Sequence, residues 1–133
     1  MKKIKASATI EASYIVPIIF LIVAALIYVS FYFHDKNIIT GAAYETSVAG
    51  GAFMRWEEEN PESLLQDFYQ ERMKGKLIFF RKTEVEIKCM KEEVRVTVFA
   101  SRKRFKVKII QKYRYTKPEE SLRKIRRIYG DSV

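Results

Sequence analysis

The sequence predicts an α+β protein in which a long N-terminal transmembrane helix precedes a small exterior domain, an antiparallel three- to four-stranded meander with flanking helices. Three observations carry that reading. From Ala12 to Phe33 run 22 residues without a formal charge. Further on, apolar and polar residues alternate at period two in three successive stretches, as half-buried strands require. On either side of those stretches lie segments with helix start and stop signals and apolar residues at three-and-four spacing. A chain of 133 residues suits one domain with at most one appendage.

The apolar run comes first. At helical rise it spans about 33 Å, enough for a hydrocarbon core of about 30 Å. A cleaved secretory signal is the competing reading, but its apolar core is roughly 7–15 residues long and ends in small residues. This run is longer and ends in the bulky "SFYFHDK", and the nearest small-residue site, Gly41 to Ala43, lies well past it. Lys2, Lys3 and Lys5 precede the span, whereas His34, Asp35 and Lys36 give mixed charge after it. Positive flanks stay in the cytoplasm, so the expected location is the cell membrane, single-pass, with the N-terminus inside and the C-terminal domain outside. Tyr28, Phe31, Tyr32 and Phe33 cluster at the outer end, where an aromatic belt belongs.

The helix is expected to run past the membrane, from about Ile10 to Ala49, with Ile38, Ile39, Ala42, Ala43 and Thr46 as a weak apolar stripe. Gly50-Gly51 is the first strong stop signal. A second helix follows the acid run Glu57 to Glu59. Asn60 suits its N-cap, Pro61 its first position, Leu64, Leu65, Phe68 and Tyr69 its buried stripe, and Gly75 its end. "KLIFF" is a candidate fourth strand. The three period-two stretches place Val85, Ile87 and Cys89, then Val94, Val96, Val98 and Ala100, then Phe105, Val107 and Ile109 on the buried face. The connections near Lys91 to Glu93 and Ser101 to Arg104 are short enough for hairpins. Thr116 and Glu119 then have capping-box spacing, and Leu122, Ile125, Ile128 and Tyr129 form one apolar face that Gly130 ends.

The start of the apolar run holds the stretch "SATIEASYIVP", with an acid at Glu11 and a helix breaker at Pro17. An acid deep in a bilayer costs a few kcal/mol, far less at the interface. Pro17 removes the hydrogen bond to the Ser13 carbonyl and crowds it. A short basic leader, "MKKIKA", precedes the small residues "SAT", and cleavage between Ala6 and Ser7 would make Glu11 the fifth residue of the product. This resembles the class III signal of the type IV pilin superfamily, and within it the TadE-like pseudopilins of tight-adherence (Tad) pilus systems. Their pattern of small residues, a hydrophobic residue, Glu, five mostly apolar residues and Pro finds Ile10, Glu11 and Pro17 in register. Ala6 stands where these signals usually carry glycine. The resemblance covers about the first forty residues.

The resemblance implies a leader at 1–6 and processing at Ala6 and Ser7 by a prepilin-type peptidase, while the residues themselves give a long helix over 7–49 with its span at about 12–33 and an exterior domain over 50–133. It implies a minor subunit or assembly factor of a Tad or type IV-type pilus or secretion apparatus. Its partners are the lipid bilayer and, through the N-terminal helix, other pilin-like subunits. Glu11 would offset the new amino terminus of an adjacent subunit, an attraction far stronger in low dielectric than in water. Pro17 would set a local bend for helix packing.

A second reading comes from charge. Between Ser101 and Arg127 there are twelve Lys or Arg against two acids, within a chain of net charge +9. Arg102, Lys103, Arg104, Lys106, Lys108, Arg123, Lys124, Arg126 and Arg127 are either an ordinary solvated face or a contact for a polyanion such as anionic lipid, wall polymer or DNA. No nucleic-acid motif is present, so nucleic acid is not the expected partner. Nothing in the sequence points to an enzyme or a cofactor. His34 has no second His or Cys nearby for a metal set, Cys89 is in phase with Val85 and Ile87 as a core residue, and there is no phosphate loop or nucleophile elbow.

Overall fold

Alternation at period two becomes a sheet in the computed structural model, which describes residues 2–56, 60–116 and 118–130. The elements are α1 (Lys2–Arg55), α2 (Pro61–Met73), β1 (Lys82–Cys89), β2 (Glu93–Arg102), β3 (Phe105–Arg114) and α3 (Pro118–Gly130). The three strands form one antiparallel sheet in the order β1-β2-β3. Val85 lies opposite Val98 and Val98 opposite Ile109, so the predicted apolar positions share one face. The acid run at Glu57 to Glu59 lies outside the described residues.

Two compact units emerge, Met1–His34 and Asp35–Val133. In the first, α1 passes through Pro17 without interruption and presents apolar side chains outward along its length, Phe20 and Leu21 being 70% and 71% exposed. This is the one helix among the described residues long and apolar enough to cross a membrane.

In the second unit the rest of α1 is a core element. Asp35, Ile39, Ala42, Ala43, Thr46, Ser47, Gly50 and Gly51 are buried. Their three-and-four spacing makes a single stripe down one side of the helix. Two hydroxyls on it bond back to the helix itself, Thr46 Oγ1 to the Ala42 carbonyl and Ser47 Oγ to the Tyr44 carbonyl, both at 2.7 Å. Such back-bonding satisfies a buried hydroxyl without a partner from another element.

The helix continues to Arg55, through the glycine pair where a stop was expected. Packing explains the pair. A Cβ on Gly50 would lie 2.8 Å from Val94 Cγ1 and 3.0 Å from Leu65 Cδ1, and one on Gly51 would lie 2.5 Å from the Tyr113 ring. The glycines let the helix backbone approach the sheet and α2, and that contact outweighs their weak helix propensity of about 1 kcal/mol each.

The second expectation to change is the fourth strand. Leu77 to Phe80 of "KLIFF" is irregular backbone, not strand. Its N–H groups go to Asp35. Phe79 and Phe80 donate to Oδ2 at 2.6 and 2.8 Å, and the Ile78 N–H is shared by both oxygens at 3.0 Å. Three consecutive N–H groups turned onto one carboxylate form an anion nest. A strand would have offered them to a neighbouring strand instead. With its backbone so held, the segment buries Phe79 and Phe80, whose rings meet edge to face with centroids 5.0 Å apart.

In α2, Leu65, Tyr69 and Met73 are buried, while Leu64 of the predicted stripe is 43% exposed. Asn60 occupies the cap position in the left-handed region, φ 57°, and its side chain makes no capping bond; the Ser63 hydroxyl donates to the Asn60 carbonyl instead. Gly75, at φ 73°, ends the helix as predicted, in a conformation that glycine adopts without steric cost. The Tyr69 hydroxyl is buried and meets no hydrogen-bond partner among the described residues. Burial also pushes its pKa well above the ordinary tyrosine range, so it stays protonated. Tyr69→Phe removes this unpartnered group and keeps the ring; urea unfolding of the full chain should show equal or greater stability, by up to about 1 kcal/mol.

Toward the β2–β3 turn the burial pattern weakens. Phe105, expected on the buried face with Val107 and Ile109, is 48% exposed because it sits at the hairpin end, paired with Arg102. The amphipathic pattern of α3 is present, but its apolar residues face outward, Leu122, Ile125, Ile128 and Tyr129 being 60%, 51%, 69% and 72% exposed.

Candidate functional site

Ala6, Ser7, Glu11 and Pro17 all lie on the exposed first part of α1. The Ser7 hydroxyl is 3.5 Å from Glu11 Oε1, one turn away, and Thr9 Oγ1 donates to the Lys5 carbonyl at 2.8 Å. The helix begins at Lys2, inside the predicted leader, so Ala6 and Ser7 are joined within regular helix. Glu11 shares the Met1–His34 unit with an apolar surface and is itself exposed on that surface. A carboxylate on such a surface attracts a cation more strongly in low dielectric than it would in water.

The sequence of this segment matches a known family. Residues 6–47 match the TadE-like protein family. The TadE-like segment opens on Ala6, takes in Glu11 and Pro17, and ends at Ser47, within the buried stripe of the second unit. The sequence resemblance, drawn from the first forty residues, is thereby borne out, and the match carries it on through residues 41–47. The sheet, α2 and α3 lie beyond the TadE-like segment. No curated protein and no solved structure matches the chain.

The basic residues fall into two sets. Arg102, Lys103 and Arg104 surround the β2–β3 turn, where Lys103 is left-handed at φ 50°, and Lys106 and Lys108 continue along β3. Two of them rest on rings, the Arg102 guanidinium 4.5 Å from the Phe79 centroid and Lys108 Nζ 5.3 Å from that of Phe99. Arg123, Lys124, Arg126 and Arg127 lie on α3, which begins after the opposite end of β3.

The ionisable groups of the sheet face have ordinary structural causes for their shifts. Glu86 is held below the usual carboxylate range by its hydrogen bond to Lys88, and Glu93 by its hydrogen bond to Arg95. Both depressed values mean that any contribution to stability is present above the ordinary glutamate range and is lost as pH falls through the lower folded value. Glu86 is exposed and Glu93 half-buried, and each pairs with a solvent-accessible cation, so solvent screening keeps their contribution small. Cys89 is half-buried, and burial followed by the nearby Glu62 carboxylate pushes its thiol up. Its N–H donates to Glu62 Oε1 at 3.3 Å. At pH 8 less thiolate is present than in a free cysteine, so a thiol-disulfide reagent should modify Cys89 of the folded chain more slowly than the unfolded chain, and Glu62→Gln should speed the reaction.

One functional residue of this unit hides among the charges that flank the apolar run: Asp35 lies four residues before Ile39, in phase with the buried stripe. That phase was the available signal.

Proposed function

We propose that the chain is a minor, non-enzymatic pilin-like subunit or assembly factor of a Tad or type IV-type pilus or secretion apparatus, anchored in the membrane by α1. The observation that carries this reading is the coincidence of the TadE-like match with a helix long and apolar enough to cross a membrane, bearing Glu11 and Pro17 at its start. The first part of α1 packs among the corresponding helices of other subunits. Glu11 offsets the amino terminus of a neighbour after cleavage between Ala6 and Ser7. The N-terminus faces the cytoplasm and the sheet-containing unit faces out.

The outward-facing apolar side chains of α1 support helix packing as well as lipid contact, because lipid offers them no advantage over another helix and close packing does. Cysteine cross-linking in the native host tests it. With Cys89→Ser as background, cysteines at Ile19 and Val23 should form bonds to pilin-like subunits when those carry a matching cysteine. Cross-linking that is absent at both positions while the chain is in the membrane contradicts the reading.

A further inference from the structure

A second group of exposed apolar side chains, besides those of α1, lies on α3. They are large, all more than half exposed, and all on one helix of 13 residues. At about 100° per residue, Leu122, Ile125, Ile128 and Tyr129 occupy an arc of about 120°. Arg126 borders that arc beside Leu122, Lys124 borders it beside Ile128, and Arg123 and Arg127 fill the opposite side. The acids Glu119 and Glu120 fall in the first turn, where the positive end of the helix dipole favours them.

We propose that α3 is an interfacial helix that lies on an anionic phospholipid bilayer, its Leu122–Ile125–Tyr129 stripe among the acyl chains and the bordering Lys124 and Arg126 at the headgroups. The inference rests on α1 being a membrane anchor. Charge and shape together favour this occupant. DNA or a wall polymer would engage Arg123, Lys124, Arg126 and Arg127 and leave the apolar stripe in water. A bilayer interface takes up both faces at once. Long basic side chains bordering the stripe let their stems cover apolar surface while their heads reach phosphate. Anchoring through α1 keeps α3 tethered to a membrane, so a modest intrinsic affinity is enough. The sheet-borne set at Arg102 to Lys108 lacks such a stripe and has no part in the proposal.

The test uses the full chain reconstituted in vesicles of neutral phosphatidylcholine, with or without anionic phosphatidylglycerol. A polarity-sensitive dye is placed at Ile125→Cys or Arg123→Cys, each in a Cys89→Ser background. With anionic lipid the dye at position 125 should shift to the blue and be quenched by spin-labelled lipid, much more than the dye at position 123. The effect should fade as ionic strength approaches about 1 M, where the Debye length is about 3 Å. Lys124→Gln and Arg126→Gln should each weaken the partitioning roughly fivefold. A dye at 125 that stays in water with anionic lipid overturns the proposal. So does one that is equally shielded in neutral vesicles and in detergent, because a second copy of the chain then covers the stripe. Flotation after an alkaline wash reports the anchor separately. Lost flotation contradicts the anchor and the proposal together; retained flotation with a wet position 125 contradicts α3 alone.

Discussion

Asp35→Ala should remove a large part of the stability of the Asp35–Val133 unit. The Asp35 carboxylate is fully buried and accepts the N–H groups of Ile78, Phe79 and Phe80. Hydrogen bonds to a charged group are worth about 1.5–3 kcal/mol each, and a buried donor left without a partner costs about 1–3 kcal/mol. Losing the acceptor for three donors therefore costs on the order of 5 kcal/mol, against a total of about 5–15 kcal/mol for a domain. The Phe79 and Phe80 rings would lose their positioning at the same time. Hydrogen exchange of the full chain in detergent reads the effect directly. Amides of β2, the central strand, should lose most of their protection in Asp35→Ala. Asp35→Asn keeps one acceptor oxygen but turns an amide N–H₂ toward the same donors, so it should be intermediate. Unchanged β2 protection in the alanine variant would mean that the nest is incidental to the fold.

Glu11→Ala should leave membrane insertion intact and abolish incorporation into the assembly. On the exposed helix, removing one carboxylate makes α1 more apolar, so insertion has no reason to fail. Within an assembly the same change leaves the amino group of a neighbouring subunit without its counter-charge in low dielectric, a loss of several kcal/mol. Glu11→Asp keeps the charge on a shorter arm and should retain part of the incorporation, whereas Glu11→Gln should resemble alanine. The readout is the ratio of chain in the purified assembly to chain in the membrane. Normal assembly in Glu11→Ala would remove the role given to the residue.

The two predictions differ in how visible their residues were. Glu11 announces itself, since a charge at the mouth of an uncharged run, six residues before a proline, belongs to a local pattern. Strands were legible for the same reason: the alternation in "EVRVTVFA" repeats within a few residues, and the observed β2 buries Val94, Val96, Val98 and Ala100 as that pattern requires. Asp35 was not legible in this way. Its partners are about 43 residues away in sequence, and the surrounding residues look like an ordinary membrane flank. Once the Ile78, Phe79 and Phe80 N–H groups are committed to Asp35, they cannot pair "KLIFF" with a neighbouring strand, so a single long-range contact changes both the fourth strand and the role of Asp35. Gly50-Gly51 failed differently. Glycine's local tendency is to end a helix, but the close approach of Val94 and Tyr113 needs the missing Cβ, and tertiary contact outweighs local propensity. The apolar face of α3 was read correctly as a pattern; periodicity reports a face and says nothing about what covers it.

The central claim is that the N-terminal stretch is a processing and assembly signal of a pilin-like subunit. Determining the N-terminus of the mature protein from its own host tests this most directly. The account predicts a chain that begins at Ser7 and places Glu11 fifth. An intact Met1, or a chain that begins beyond Ala43, would contradict it.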